Sequence, residues 1–216
     1  MTDHDEKYIP AAGFFSLAAF YDPLVRLLGR EKQFKTQLIE LAEIQPDHHV
    51  LDLGCGTATL TIMIQHSSPQ AQVSGIDGDE AILAVARKKV TRSGLNIQLD
   101  EGMAYDLPYP DEQFDRVLTS LVLHHLSAAA RRRALEEVMR TLKPDGSLHI
   151  ADFTASDTGG SHLAAHLFSF LNPHSHAGSI PLLAEMTQCG FADVQAEGHV
   201  ASLFGKIGFF SGSKPA

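Results

Sequence analysis

The sequence predicts an α/β fold in which helices cover a parallel sheet, on three observations. Strand-like and helix-like segments alternate along the chain, which is typical of parallel sheets. A short apolar strand runs directly into a glycine turn and then a helix at residues 50–58. The chain has 216 residues, of which 44% are apolar and 20% are charged, so it suits one globular domain with a sizeable core.

The N-terminal part of the chain is predicted to be helical. Residues 1–45 carry an apolar stripe that Pro23 interrupts, and a second helix runs from Glu31 to Ile44, ending before Pro46. Short apolar runs bounded by polar residues or glycine then predict strands. The first five predicted strands are residues 49–53, 72–76, 96–99, 114–120 and 147–153.

Helical periodicity fills the gaps between these strands. Ser127 is placed to cap a helix whose Leu135, Val138 and Leu142 share one face, and a turn at 143–146 (KPDG) separates that helix from the fifth strand. A loop follows at 154–160. The other predicted helices are residues 57–66, 79–91, 162–171 and 180–189, and the closing strands are 191–197 and 200–210.

Charge and composition restrict the class of partner. The formal net charge is −9, whereas nucleic-acid binders usually present a basic face. We interpret the one basic run, residues 131–133, as a solvated helix face, because Arg132 and Arg133 each have an opposite charge four positions on. These predicted pairs are Arg132–Glu136, Arg133–Glu137 and Glu136–Arg140.

The same composition bears on location. No apolar run approaches the roughly 20 residues of a membrane span. The start of the chain is acidic and polar, unlike a secretory signal. The two cysteines, Cys55 and Cys189, are too few for a disulfide framework, and we interpret both as reduced. We therefore expect a cytoplasmic protein.

The sharpest motif is VLDLGCGTA at residues 50–58, in which a strand turns at Gly54 and Gly56 into a helix. Glycines allow close approach of the backbone to a ligand, and sheets of this kind bind ligands at the carboxyl ends of their strands. Asp77 follows the second strand, 21 residues beyond Gly56. A carboxylate there accepts hydrogen bonds from both hydroxyls of a ribose, so the pair of features predicts a cofactor that contains adenosine.

Two residues indicate whether the cofactor is a methyl donor or NAD. The dinucleotide fingerprint G-x-G-x-x-G needs a third glycine, and Thr59 stands at that position. Asp52, two residues before the first glycine, suits the ammonium group of S-adenosylmethionine and is poorly placed beside a pyrophosphate. The residues thus favour S-adenosylmethionine, and an NAD-dependent oxidoreductase is the less favoured alternative.

Further motifs stand in order with this one: GID at 75–77, EGMAYDLPYPDEQFDRV at 101–117, LVLHHL at 121–126 and LKPDGSLHIADF at 142–153. Together they resemble the class I S-adenosylmethionine-dependent methyltransferases, within them the ubiquinone/menaquinone-biosynthesis (type 11) branch, from Tyr21-Asp22 to Phe153. The resemblance implies a Rossmann-like, seven-stranded, mostly parallel sheet in the order 3-2-1-4-5-7-6. It also implies an antiparallel last strand, helices on both faces and an N-terminal helical lid.

The resemblance also implies roles for single residues. The methionine end of the cofactor is expected at Asp52, Gly54, Gly56 and Leu121, the ribose at Asp77, the adenine beside Gly78, and a covering contact from Tyr21. One position departs from the family, which commonly has an acid followed by alanine near the adenine amino group. Here the pair is Met103-Ala104, so we expect adenine to be held by apolar contact and backbone groups.

The residues that act on the methyl acceptor are less defined. His124 and His125 after the fourth strand and Asp152 at the end of the fifth are candidates for proton transfer or substrate contact, and packing of the site wall is the alternative. A cluster of histidines has no acid or cysteine beside it to complete a zinc pattern, so we predict no metal site. Its members are His162, His166, His174 and His176.

We expect one domain with four parts: a helical N-terminal lid (1–45), a cofactor-binding core (46–153), a substrate lid (154–180) and a closing helix with strands (181–216). The predicted function is transfer of a methyl group from S-adenosylmethionine to a small molecule by in-line displacement. A non-catalytic S-adenosylmethionine-binding module is the main alternative, because no base is obvious. The acceptor and the oligomeric state stay open.

Overall fold

A seven-stranded sheet in the order β3-β2-β1-β4-β5-β7-β6 organises the protein, and this confirms the predicted strand order. The computed structural model describes residues 31–154, 181–202 and 205–216. Strands β1 to β5 run parallel to one another, and β7 pairs antiparallel with both β5 and β6. The strands are β1 (His49–Leu53), β2 (Gln72–Asp77), β3 (Gln98–Glu101), β4 (Phe114–Ser120), β5 (Leu142–Phe153), β6 (Ala192–Ser202) and β7 (Gly205–Ser213).

Helices cover both faces of this sheet. Val50 of β1 is buried in a cluster with Phe34 and Ile64, whereas the next residue, Leu51, belongs to a second cluster with Val138 and Leu182. Successive strand residues point to opposite faces, so each face has its own apolar core. The helices of the described ranges are α1 (Glu31–Leu41), α2 (Thr59–Ser67), α3 (Glu80–Ser93), α4 (Ala128–Thr141), α5 (Leu182–Gln188) and a 3₁₀ turn (Leu123–His125).

Strands β1 and β4 begin and end where the sequence predicts, and α4 begins after its predicted cap. The hydroxyl of Ser127 accepts a hydrogen bond from the amide of Ala130 at 3.2 Å. The end of α4 was predicted wrongly, because Leu142 begins β5 instead of completing the helix. The predicted turn at 143–146 is a bulge within β5, where Asp145 takes a left-handed φ of 62°.

The break between the closing strands was also predicted wrongly. The sequence placed it at Gly198, but β6 continues to Ser202. Gly198 has a φ of 108° and lies where the pairing with β7 shifts register after Ala196. The glycine therefore allows a bulge within the strand, a role that the sequence does not distinguish from a turn.

The basic run on α4 is only in part the solvated face that the sequence predicted: Arg132 and Arg133 are exposed, but Arg131 is not. Arg131 is buried, and its guanidinium donates to both carboxylate oxygens of Glu185 on α5 at 2.6 and 2.7 Å. A third hydrogen bond reaches the carbonyl of Leu126 at 3.1 Å. None of the three predicted pairs along the helix forms a salt bridge among the described residues; Arg140 pairs with Glu137 instead. The physical reason is that α5 packs over the start of α4 and brings its own carboxylate.

Parts of the predicted organisation lie outside the described residues. These are residues 1–30 of the N-terminal lid, residues 155–180 of the substrate lid and the helix predicted at 162–171. Across the ranges that are described, no helix has both the length and the apolar composition needed to cross a membrane.

The Arg131–Glu185 pair gives a stability prediction. Glu185→Gln leaves the guanidinium buried without its counter-charge, so we expect the free energy of unfolding to fall by about 2–4 kcal/mol. Urea unfolding followed by circular dichroism measures the change. The control is Glu80→Gln, which removes the partner of Arg87 from an ion pair whose side chains are 45% and 53% exposed. That change is expected to cost less than about 0.5 kcal/mol, and equal effects of the two substitutions would contradict the assignment.

Candidate active site

The turn between β1 and α2 places two glycines, which have no side chains, at the carboxyl edge of the sheet. Gly54 and Gly56 take left-handed φ values of 71° and 54°. The amides of Gly54 and Cys55 both donate to the carbonyl of Ile76 at 2.9 Å. A Cβ on Gly54 would lie 2.4 Å from a Val122 methyl, whereas a Cβ on Gly56 would meet nothing within 4 Å. Packing therefore requires the first glycine, and the second faces open space where a ligand fits.

Asp77, at the end of β2, ties this turn to the start of α3. One carboxylate oxygen accepts from the amide of Gly56 at 2.8 Å and the other from the amide of Asp79 at 3.0 Å. Burial raises the pKa of Asp77. Each oxygen keeps acceptor capacity for a ribose hydroxyl. The helix cap is Asp79, which the sequence analysis missed; its Oδ1 accepts from the amides of Ala81 and Ile82 at 2.9 and 3.3 Å.

A cavity of about 380 Å³ lies beyond Asp77. It is walled by Gly78, Glu101, Gly102, Met103, Asp106 and Pro108. The amide of Asp106 donates to the carbonyl of Met103 at 3.0 Å, which closes a tight turn at its rim. Of the residues predicted to lie near adenine, Gly78 and Met103 line the cavity, and Ala104 packs against the apolar core. Asp106 was not predicted.

Asp52 is fully buried beneath the glycine turn, where the sequence placed an acid facing the loop. Its Oδ2 accepts from the hydroxyl of Thr61 at 2.6 Å. Burial raises the pKa of Asp52 to about 6, from an ordinary 3.8, against the opposing effects of Thr61 and the Lys35 charge. A cationic group bound above the turn would favour the ionised form.

Leu121, the first residue after β4, has a φ of 58°, a conformation that a non-glycine residue adopts at a cost of about 1–2 kcal/mol. Its amide donates to the carbonyl of Ala151 at 2.8 Å, which fixes it between β4 and β5. The next residue is Val122, the side chain that fills the space at Gly54. The conformation of Leu121 therefore determines how closely Val122 packs against the glycine turn.

Asp152 and His124 form a buried pair where β5 and β4 end. The Nδ1 of His124 lies 2.7 Å from Oδ1 of Asp152, and Asp152 is fully buried. The other carboxylate oxygen accepts from the amides of Leu123 and His124 at 2.9 and 3.3 Å, so Asp152 also holds the 3₁₀ turn. The ring of Phe153 stands edge-on to His124, with centroids 5.0 Å apart. A carboxylate on Nδ1 fixes the ring and leaves Nε2 for proton transfer.

His125 lies beside this pair, with its ring centroid 3.9 Å from that of His124. His125 is exposed to solvent, although protein atoms surround much of its ring. This burial, and then the neighbouring His124, lowers the pKa of His125 to about 4. His125 is therefore neutral at physiological pH and a weaker base than an ordinary histidine.

Some predicted site residues lie outside the described ranges. They are Tyr21 and the cluster His162, His166, His174 and His176. Within the described ranges, no group of three histidine, cysteine or carboxylate side chains is placed to hold a metal ion. The two cysteines are free, and burial raises the pKa of the Cys55 thiol far above its usual range.

Comparison with known proteins finds a matching family model and curated relatives. Residues 50–146 match the family model described as a methyltransferase domain. The demethylmenaquinone methyltransferase of Thermus thermophilus is 32% identical over 157 residues, which cover 72% of this chain and 70% of that protein. The corresponding protein of Listeria monocytogenes serotype 4a is 35% identical over 164 residues, covering 74% of this chain and 68% of that one.

A solved structure shares the architecture. Phosphoethanolamine N-methyltransferase 2 of Haemonchus contortus, in complex with S-adenosylmethionine, superimposes with a TM-score of 0.70. The alignment covers 85% of this chain and 53% of that one, at 14% identity. At this identity the likeness establishes the fold and no more.

Asp52 gives a prediction in which stability and binding change in opposite directions. The unfolded chain ionises this acid above pH 3.8 and the folded chain only above about 6, so the fold loses stability as the pH rises between these values. Asp52→Asn keeps an acceptor for Thr61 and removes the charge. At pH 7 we expect it to raise the free energy of unfolding by about 1–3 kcal/mol while weakening the binding of S-adenosylhomocysteine.

Urea unfolding at pH 4 and pH 7, with calorimetric titration at pH 7, measures both effects. The stability gain should disappear at pH 4, where wild-type Asp52 is protonated in the folded state. The control is Asp115→Asn: burial raises the pKa of Asp115, but Lys143 and the His49 amide together outweigh it and lower that pKa, so this change should destabilise at pH 7. A loss of stability in Asp52→Asn at pH 7 would refute the interpretation.

A second prediction compares two glycines with the same backbone conformation. Gly56 and Gly94 have φ values of 54° and 72°, and a Cβ on either meets nothing within 4 Å. Alanine at either position should therefore cost about 1 kcal/mol of stability through backbone strain alone. Only Gly56→Ala is expected to weaken S-adenosylhomocysteine binding, by tenfold or more, because only Gly56 faces the site. Calorimetry on both variants decides, and equal affinities would show that Gly56 does not contact the ligand.

Proposed function

Since this chain belongs to the S-adenosylmethionine-dependent methyltransferase family, we propose that it methylates a small aromatic acceptor of the quinol class, with His124 accepting the acceptor's proton. S-adenosylmethionine is the methyl donor. The observation that carries the proposal is the buried Asp152–His124 pair, 2.7 Å apart, at the edge of the sheet where the cofactor residues lie.

The residues at this edge fit S-adenosylmethionine. Asp77 has acceptor capacity for ribose hydroxyls beside the open backbone of Gly56, and the cavity beyond it suits a purine. The buried charge of Asp52 complements the ammonium of the methionine end. Oδ2 of Asp79 is buried without a partner among the described residues and so provides an unused acceptor next to Gly78.

The acceptor class follows from the relatives together with the chemistry. The Thermus thermophilus relative is named for demethylmenaquinone, whose methylation forms a carbon–carbon bond. The ring of an oxidised quinone is electron-poor, whereas a quinol that has lost a phenolic proton is nucleophilic at the adjacent ring carbon. The ring edge of Phe153 beside His124 offers an aromatic wall for such an acceptor.

The reaction then divides between cofactor and protein. When bound, S-adenosylmethionine supplies the methyl group: the bond from methyl to ring carbon forms while the methyl–sulfur bond breaks, and its electron pair stays on sulfur. Nε2 of His124 takes the phenolic proton, and Asp152 stabilises the resulting imidazolium through Nδ1. The ring carbon afterwards releases its hydrogen to solvent as the ring regains aromaticity, and His124 returns its proton to the oxygen.

Two finer points belong to the same proposal. The net charge of −9 supports a small-molecule acceptor over a nucleic acid. Two free cysteines, one of them buried, support a reducing compartment, and we assign the protein to the cytoplasm.

The proposal predicts the effect of removing the base. With demethylmenaquinol or 1,4-naphthohydroquinone as acceptor, His124→Gln should lower kcat by about 100-fold or more, as loss of a general base usually does. Asp152→Asn should lower kcat to a similar extent, because the ring loses its orienting carboxylate. Raising the pH should partly restore His124→Gln, since the acceptor then ionises without help. Methyl transfer from radiolabelled donor measures each rate.

The control is His199→Gln, at an exposed histidine of edge strand β6, which should leave the rate unchanged. Wild-type activity in His124→Gln would refute the base assignment. Donor binding without turnover on any quinol, phenol, amine or thiol would instead indicate a non-catalytic binding module.

A further inference from the structure

One face of α4 carries three charged residues that the proposed reaction does not use. Arg133, Glu137 and Arg140 follow one another at spacings of four and three, so they share a helix face. The sequence predicted the pairs Arg133–Glu137 and Glu136–Arg140 along a solvated surface. Instead the three residues of this face contact the segment that walls the cavity beyond Asp77.

The contacts of this charged stripe are specific. Glu137 Oε2 accepts from the amide of Leu107 at 2.9 Å, and Arg140 donates to the carbonyl of Leu107 at 3.1 Å and to that of Tyr109 at 2.8 Å. Arg140 also donates to both carboxylate oxygens of Glu137 at 2.9 and 2.7 Å. The stripe therefore holds both backbone groups of Leu107, and each member of the ion pair orients the other.

Arg133, the first residue of the stripe, makes a further contact with the same segment. The guanidinium carbon of Arg133 lies 5.2 Å from the ring centroid of Tyr105, a cation–π distance. Charged residues one helical turn apart thus engage chain residues two apart, at 105, 107 and 109. This match between a helix face and residues 105–109 fixes that segment along its length.

Burial alternates along that segment, so the contacts from α4 also affect the residues that line the cavity. The side chains of Leu107 and Tyr109 are buried in the core on the α4 side, and the residues between and before them, Pro108 and Asp106, line the cavity. Asp106 and Pro108 are covalently joined to these held residues, so fixing 107 and 109 restricts where 106 and 108 can lie. The hydroxyl of Tyr109 adds a further tie, donating to Asp100 at 2.8 Å.

We infer that Glu137 and Arg140 are positioning residues for purine binding, which set the affinity of the cavity for the adenosine end of the cofactor without contacting it. The inference rests on the proposed function in that it assigns the cavity to the purine. Without the ion pair the segment must be ordered by the ligand, and the cost of that ordering subtracts from affinity.

Calorimetric titration with S-adenosylhomocysteine and with adenosine tests the inference. Arg140→Met should weaken both ligands by the same factor, about tenfold, with a binding stoichiometry that stays near one. Glu137→Gln should act in the same direction. Adenosine is informative because it lacks the methionine end, which other residues hold.

The matched control is Arg131→Met, on the same helix but facing α5. It should lower the unfolding midpoint at least as much as Arg140→Met while binding both ligands as the wild type does. If Arg140→Met loses stability but keeps wild-type dissociation constants, its role is structural and the inference is wrong. If the wild type itself binds neither ligand, the cofactor assignment fails first, and the two failures are therefore distinguishable.

Discussion

Two acceptors at the end of β2 hold the carboxyl edge of the sheet in shape: the carbonyl of Ile76 and the carboxylate of Asp77. The carbonyl takes the amides of Gly54 and Cys55, and the carboxylate takes that of Gly56. Three consecutive amides of one turn thus donate to a single neighbouring strand, which satisfies them and holds the turn against β2. The other residues of the site are positioned relative to these hydrogen bonds between the glycine turn and β2.

Helix α4 relates the two halves of the site. It begins at the Ser127 cap, two residues after the 3₁₀ turn that Asp152 holds, and its charged stripe fixes the cavity wall at Leu107. Its opposite face is fixed to α5 through Arg131 and Glu185. We therefore propose that one rigid element sets the distance between His124 and the cavity assigned to the cofactor. Methyl transfer needs that spacing, because in-line displacement tolerates little misalignment.

The features that the sequence predicted well depend on local or repeating patterns of residues. β1 and β4 are short apolar runs with clear limits, and Gly54 and Asp77 belong to a motif whose spacing reports a turn and the end of the next strand. What it missed joins distant segments: Glu185 lies 54 residues from Arg131, and Glu137 lies 30 residues from Leu107. A charged residue on a helix shows helical spacing whether it faces water or another segment.

One desolvated acid and two strained residues lie at the same edge of the sheet. Asp52 is an acid buried where ionisation is unfavourable, and Ala58 and Leu121 hold left-handed φ values of 59° and 58° without being glycine. A neutral side chain at 52 and glycines at 58 and 121 would relieve all three, so the fold alone gives no reason for them. Natural proteins keep such features where binding or catalysis requires them. Their coincidence beside the glycine turn supports our proposal that this edge is the functional site, on grounds independent of family resemblance.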